Sequence, residues 1–102
     1  MFDKLLQAQQ MAEEIKKRLD NVSVSAEVEG GKISITSTAN KRITGISIDP
    51  ELLGSADQEE LEELLVTAIN KVLEHAENVS QTEMQAATRD MMGGLGGLFG
   101  NK

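Results

Sequence analysis

The sequence predicts an α+β fold: one helix, a three-stranded antiparallel meander, then a long C-terminal helix. Three observations predict it. Residues 2–20 carry apolar positions three and four apart, and residues 22–48 hold short alternating runs separated by turn-forming pairs. From Leu61 the apolar residues return to helical spacing, and the chain's single proline, Pro50, stands at the change. A length of 102 residues suggests one domain. Hydrophobic residues make up 39% and the only aromatics are Phe2 and Phe99, so the core is expected to be lean and aliphatic. A core of that size is marginal in isolation, which makes oligomerisation an expectation from composition.

In the first helix, Leu5, Ala8, Ala12, Ile15 and Leu19 form a narrow seam that suits packing against one other helix. Asp20 and Asn21 favour turns and stop it. The run "VSVSAEVE" at 22–29 then alternates, with Val22, Val24, Ala26 and Val28 on one side and Ser23, Ser25 and Glu27 on the other. Gly30-Gly31 suits the positive φ of a hairpin turn. "KISITSTA" places Ile33 and Ile35 on one face, Asn40-Lys41 marks a second turn, and "ITGISID" aligns Ile46 with Ile48. By strict alternation Ile43 falls on the opposite face or before the strand begins. Short connections make an antiparallel meander the natural pairing. The Ser/Thr-rich face reads as a solvated one. A dimer contact through an edge of this small open sheet is the alternative.

Pro50 ends the third strand and Gly54-Ser55 leads into the second helix. Ser55 with Gln58 and Asp57 with Glu60 are rival capping pairs. Glu59 and Glu60 sit where the helix dipole favours negative charge. Leu61, Leu65, Ala68, Ile69, Val72, Ala76 and Val79 form a stripe, widened by Leu64, Val66 and Leu73, that is broad enough to cover the sheet and also the first helix or a second subunit. Nothing breaks the helix before Gly93, so it is expected to run from about 57 to 91, roughly 50 Å, and to overhang the domain. The domain is thus placed at 1–92. The Gly-rich segment 93–102 is expected to be a flexible tail, with Leu95, Leu98 and Phe99 as the alternative makings of an apolar contact.

Composition excludes much chemistry. The chain has no cysteine, so disulfides and thiolate sites are ruled out. One histidine, His75, stands beside the apolar stripe without a second ligand. The glycine pairs lack the strand–loop–helix context and following Lys-Ser or Lys-Thr of a phosphate loop. No nucleophile motif occurs. The expectation is therefore a non-enzyme with no cofactor, no metal and no small-molecule substrate. The charged N-terminus does not resemble a signal peptide and no run reaches membrane-span length, so a cytoplasmic location and no membrane contact are expected.

Charge is unevenly spread within a formal net of −7. Residues 51–83 hold nine acidic groups and a single basic one, Lys71, whereas the basic groups lie elsewhere: Lys4, the run Lys16-Lys17-Arg18, Lys41-Arg42 and Arg89.

Several stretches in this order carry a resemblance: "MFDKLLQAQQMAEEIKKRL", "GGKISITSTANKRITGISIDPELL" and "LEELLVTAINKVLEHAE", followed by "MMGGLGGLFG". Together they resemble the YbaB/EbfC family of bacterial nucleoid-associated proteins over nearly the whole chain. The segment from Ile48 to Leu53 followed by "LLVTAINKV" is the most specific part. Where the family often has a glycine in the second turn, this chain reads "TSTANKRIT". The resemblance implies a homodimer shaped like tweezers, with helices projecting from a central body, found at the nucleoid and binding double-stranded DNA. By position it implies that Lys4, Lys16, Lys17, Arg18 and Arg89 meet the DNA. Phosphate contacts of this kind bring little base selectivity and give weak, salt-dependent binding. The alternative is a protein-interaction module whose acidic helix and apolar tail engage a partner in replication or recombination.

Overall fold

The computed structural model describes the backbone of residues 2–98 and the side chains of residues 3–89. Helix α1 spans Phe2–Asp20, strands β1 (Ser23–Val28), β2 (Ile33–Thr38) and β3 (Ile43–Ile48) follow, and helices α2 (Pro50–Ser55) and α3 (Gln58–Leu98) complete the chain. The strands pair antiparallel in the order β1-β2-β3, as the alternating runs predict. The molecule measures 65 × 28 × 18 Å. Its length comes from α3, which packs on β1 and β2 with its first half and runs beyond the sheet with its second, beside α1.

The core lies between α3 and the inner face of the sheet. Ile33 and Ile35 of β2 are fully buried, as are Ala68, Val72 and Ala76 of α3. These three α3 residues recur every four positions and share one helix face. Alanine at two of them brings the helix axis close to the sheet. Ala26 and Leu52 close the cluster. Leu19 is also buried, and it is the seam residue of α1 nearest the sheet. Further out, Leu5, Ala8 and Ala12 remain exposed, so α1 is anchored at its C-terminal end only.

Three local features depart from the sequence reading. The first hairpin has a four-residue connection containing a 3-10 turn, Glu29–Gly31, with positive φ at Glu29, Gly30 and Gly31. The second departure is at Ile43. A β-bulge sets Thr36 opposite Gly45 and Ser37 opposite Ile43, so Thr44 is the extra residue. The inserted residue reverses the alternation and returns Ile43 to the face of Ile46 and Ile48. The third is α2, which the sequence reading left as a lead-in to the long helix. Asp49 caps it, with its Oδ1 accepting from the Glu51 N–H at 2.8 Å, and Pro50 occupies the first turn, where a missing donor does no harm. Of the two capping pairs, Asp57 starts α3: its Oδ1 accepts from the Glu60 N–H at 2.8 Å, while the Ser55 hydroxyl donates back to the Glu51 carbonyl. Helix α3 continues to Leu98, past the predicted stop at Gly93. A glycine costs a helix about 1 kcal/mol relative to alanine and weakens it without forbidding it. Residues 99–102 of the predicted tail lie outside the described residues.

Polar side chains tie α1 and the β2–β3 turn together. The last carbonyls of α1 find partners: Asn21 Nδ2 donates to Lys17 O at 3.2 Å, and Asn40 Nδ2 donates to Lys16 O at 2.8 Å and to Asp20 Oδ1 at 2.6 Å. Within the turn, Thr38 Oγ1 accepts from the backbone N–H groups of Asn40 and Arg42. Lys41 takes a left-handed φ of 69° at this turn. That conformation costs a side-chain-bearing residue about 1–2 kcal/mol, and here it delivers the Lys41 ammonium to the Glu77 carboxylate of α3 as an ion pair. The hydrogen bond and charge of Lys41 hold the Glu77 carboxyl below its ordinary value, with a smaller contribution from Gln81.

Two predictions follow from this packing. Ile35→Ala should lower unfolding free energy by about 2–5 kcal/mol and Ile35→Val by about 0.5–1.5 kcal/mol, measured by urea denaturation. Because the Glu77 carboxyl is depressed in the folded protein, its contribution is present above the ordinary carboxylate range and disappears as pH falls through its lowered value. Glu77→Gln should therefore melt below the wild type at neutral pH, and the two melting curves should converge on acidification.

Candidate nucleic-acid interface

Helix α1 and the second half of α3 run antiparallel and form an arm that extends beyond the sheet. Their facing sides leave an apolar cleft of about 350 Å³ lined by Met11, Ala12, Ile15 and Leu19 on one wall and by Met84 and Ala87 on the other. The two helices touch sparsely along this seam. Met84, Leu5 and Leu6 stay largely exposed.

All five basic residues predicted to meet DNA lie on this arm, and all are exposed. Lys16 lines the cleft, while Arg89 borders a shallow hollow with Met84, Gln85 and Thr88. Lys4 stands about 18 Å along α1 from Lys16 at 1.5 Å per residue, so the cations are strung along the arm rather than gathered into a pocket. Asn40 and Asn21, by bonding the Lys16 and Lys17 carbonyls, fix the turn of helix that carries Lys16-Lys17-Arg18. Sequence reasoning marked Asn40 only as a turn former, and its hold on α1 spans 24 positions, beyond any local pattern.

Arg18 differs from the other four. Its Nη1 donates to Glu83 Oε1 at 3.4 Å, across the α1–α3 seam. Both side chains are partly exposed, so this pair contributes little to stability. It does occupy the guanidinium. Among the described residues, ion pairs engage Arg18 and Lys41, and none engages Lys4, Lys16, Lys17 or Arg89.

Most acidic groups of residues 51–83 lie away from the arm or are paired. Glu59, Glu60, Glu62 and Glu63 occupy the first turns of α3, on the sheet half of the molecule. From Glu63 to Arg89 the helix rises about 40 Å, several times the screening length of about 8 Å at physiological salt. Glu77 and Glu83, the carboxylates of α3 nearest the arm's base, are paired to Lys41 and Arg18. Asp3, Glu13 and Glu14 remain on α1 itself and Asp90 follows Arg89 in α3, so the arm is not uniformly positive. Among the described residues no cluster of His, Cys, Asp or Glu is arranged to hold a metal ion, and no helix is long and apolar enough to cross a membrane.

The profile of the YbaB/EbfC DNA-binding family matches residues 1–91. A nucleoid-associated protein of Flavobacterium johnsoniae is 42% identical over 98 residues, covering 96% of this chain and 91% of the relative. The nucleoid-associated protein bll8115 of Bradyrhizobium diazoefficiens is 38% identical over 103 residues, covering 98% and 93%. Among solved structures, the uncharacterized protein HP0035 of Helicobacter pylori superimposes with a TM-score of 0.65 over 76% of this chain and 90% of that one. At 18% identity it speaks for the fold alone. With a profile that spans the whole domain and relatives alike over nearly their full length, the chain belongs to the YbaB/EbfC DNA-binding family.

Proposed function

We propose that this chain acts at the bacterial nucleoid as a homodimer that binds double-stranded DNA through the phosphate backbone, with little sequence selectivity. The observation that carries this reading is the arm: Lys4, Lys16, Lys17 and Arg89 are exposed on it, outside the ion pairs of the described residues, and far from the acidic first turns of α3. Family membership and the names of the relatives support DNA as the partner and the nucleoid as the location. Cations spread along two helices, rather than gathered into one pocket, suit phosphates rather than base edges. A single arm offers few contacts and carries carboxylates of its own. A dimer presents two arms, and the second binds at high effective concentration once the first has engaged.

A mobility shift with duplex DNA across a salt series tests this. Binding should be micromolar or weaker and should fall steeply with salt, the logarithm of affinity dropping by about 0.9 per phosphate neutralised for each decade of salt. Lys16→Glu with Lys17→Glu should abolish retention and leave the circular dichroism and molecular mass unchanged. Affinity insensitive to salt would overturn the reading. The apolar cleft between α1 and α3 favours a second reading, a protein-interaction module. Unaltered DNA retention in the double variant, with loss of a protein partner in the Met84→Lys variant, would support that one.

A further inference from the structure

Two carboxylates of α3 hold cations that belong to other elements. Glu77 takes Lys41 of the β2–β3 turn, and Glu83 takes Arg18 of α1. The two pairs are built differently. A turn with a left-handed backbone delivers Lys41, and Gln81 Nε2 donates a further hydrogen bond to Glu77 Oε2 at 3.2 Å. Among the described residues Glu83 has one side-chain partner: Arg18 Nη1 donates to its Oε1 at 3.4 Å.

A guanidinium carries five N–H donors and holds an anion most strongly through a fork of two parallel bonds. Here one nitrogen reaches one oxygen, and the separation is long beside the roughly 2.8 Å of a close charged pair. The rest of the fork stays in solvent, the Arg18 side chain being 62% exposed. A nearer carboxylate in sequence is passed over. Glu14 lies one turn before Arg18, the spacing and direction that favour a pair within a helix, and it lines the same hollow. The ion pair nevertheless runs across the seam to Glu83. Arg18 directly follows Lys16 and Lys17, which are exposed and outside the ion pairs of the described residues. To a phosphate drawn toward those lysines, Arg18 and Glu83 together present no net charge.

We infer that Glu83 is an autoinhibitory counter-ion: it cancels Arg18 as a DNA contact, and neutralising it adds that arginine to the phosphate-binding arm. This rests on the DNA binding proposed above and deepens it. A phosphate offers Arg18 the two-point contact that Glu83 does not. In the wild type, taking that contact brings the phosphate against the Glu83 carboxylate, so attraction and repulsion offset. Glutamine at position 83 removes the repulsion and keeps the length of the side chain. The seam changes little, because an exposed pair of this kind contributes little to stability.

A mobility shift of the full chain with duplex DNA across a salt series tests this, with circular dichroism of each variant. Glu83→Gln should bind about five- to tenfold tighter per arm engaged near 0.1 M salt, and its salt slope should steepen by about 0.9 per arm. The gain should vanish when Arg18→Gln is added. Arg18→Gln alone also breaks the pair, yet it should not tighten binding. Glu14→Gln removes the same charge from the same hollow and should leave the slope unchanged. If Glu83→Gln fails to fold, Glu83→Ala carries the same expectations. Wild-type binding that Glu83→Gln does not tighten would overturn the counter-ion and leave the DNA reading standing. So would a gain that persists without Arg18, an equal gain in Glu14→Gln, or tightening by Arg18→Gln alone. A wild type that does not retain DNA at low salt would overturn the DNA reading, and the counter-ion with it.

Discussion

One helix covers two strands. An α-helix with its side chains is about 10–12 Å across, and neighbouring strands lie about 4.8 Å apart. A three-stranded sheet is therefore too wide for α3 alone, and the rest of the molecule is arranged around which strand goes uncovered. The fully buried contact of Ala68, Val72 and Ala76 with Ile33 and Ile35 places α3 over β1 and β2. Beta3 keeps its aliphatic face, and the second half of α3 leaves the sheet to form the arm with α1. Core, bare strand and projecting arm all result from this single choice of contact.

Much of this was legible in the sequence because the signals are local and periodic. The alternation through Val24, Ala26 and Val28, and again through Ile33 and Ile35, gave the first two strands and their inward faces. The spacing from Leu61 to Val79 gave α3 and its contact stripe, and its uninterrupted run beyond gave the overhang. What was not legible depends on one inserted residue or on side chains distant in sequence. The bulge at Thr44 returns Ile43 to the face of Ile46 and Ile48, and period two cannot reveal a residue that breaks the period. The short helix α2 was announced by Asp49-Pro50, a cap followed by a first-turn proline, but a strand ending there was the simpler reading. Lys71 and His75 lie on the flank of the stripe, and nothing in their spacing says that strand carbonyls wait 44 and 50 positions away.

The same distinction applies to the candidate interface. The basic run Lys16-Lys17-Arg18 is visible in the sequence, but its three members are not equivalent. Glu83 of α3 engages Arg18 and leaves the two lysines outward, a division that only the α1–α3 seam determines. The acidic excess of residues 51–83 likewise looks unfavourable for a protein that approaches a polyanion. Folding resolves much of it. Four carboxylates gather in the first turns of α3, where the helix dipole favours them, and two nearer the arm face cations. Those on α1 remain, so the arm carries charges of both signs.

The two edges of the sheet are unlike, and α3 makes them so. An unpaired sheet edge invites a further strand. Along β1, Lys71 Nζ donates to Glu27 O and His75 Nδ1 lies 3.0 Å from Ser25 O, so side chains of α3 stand against the strand's backbone. Lys71 and His75 are one helical turn apart, and the two strand residues they reach are two apart, so helix and strand match in step over this stretch. The residues that hold the backbone of β1 are thus carried by the same helix whose second half forms the arm with α1.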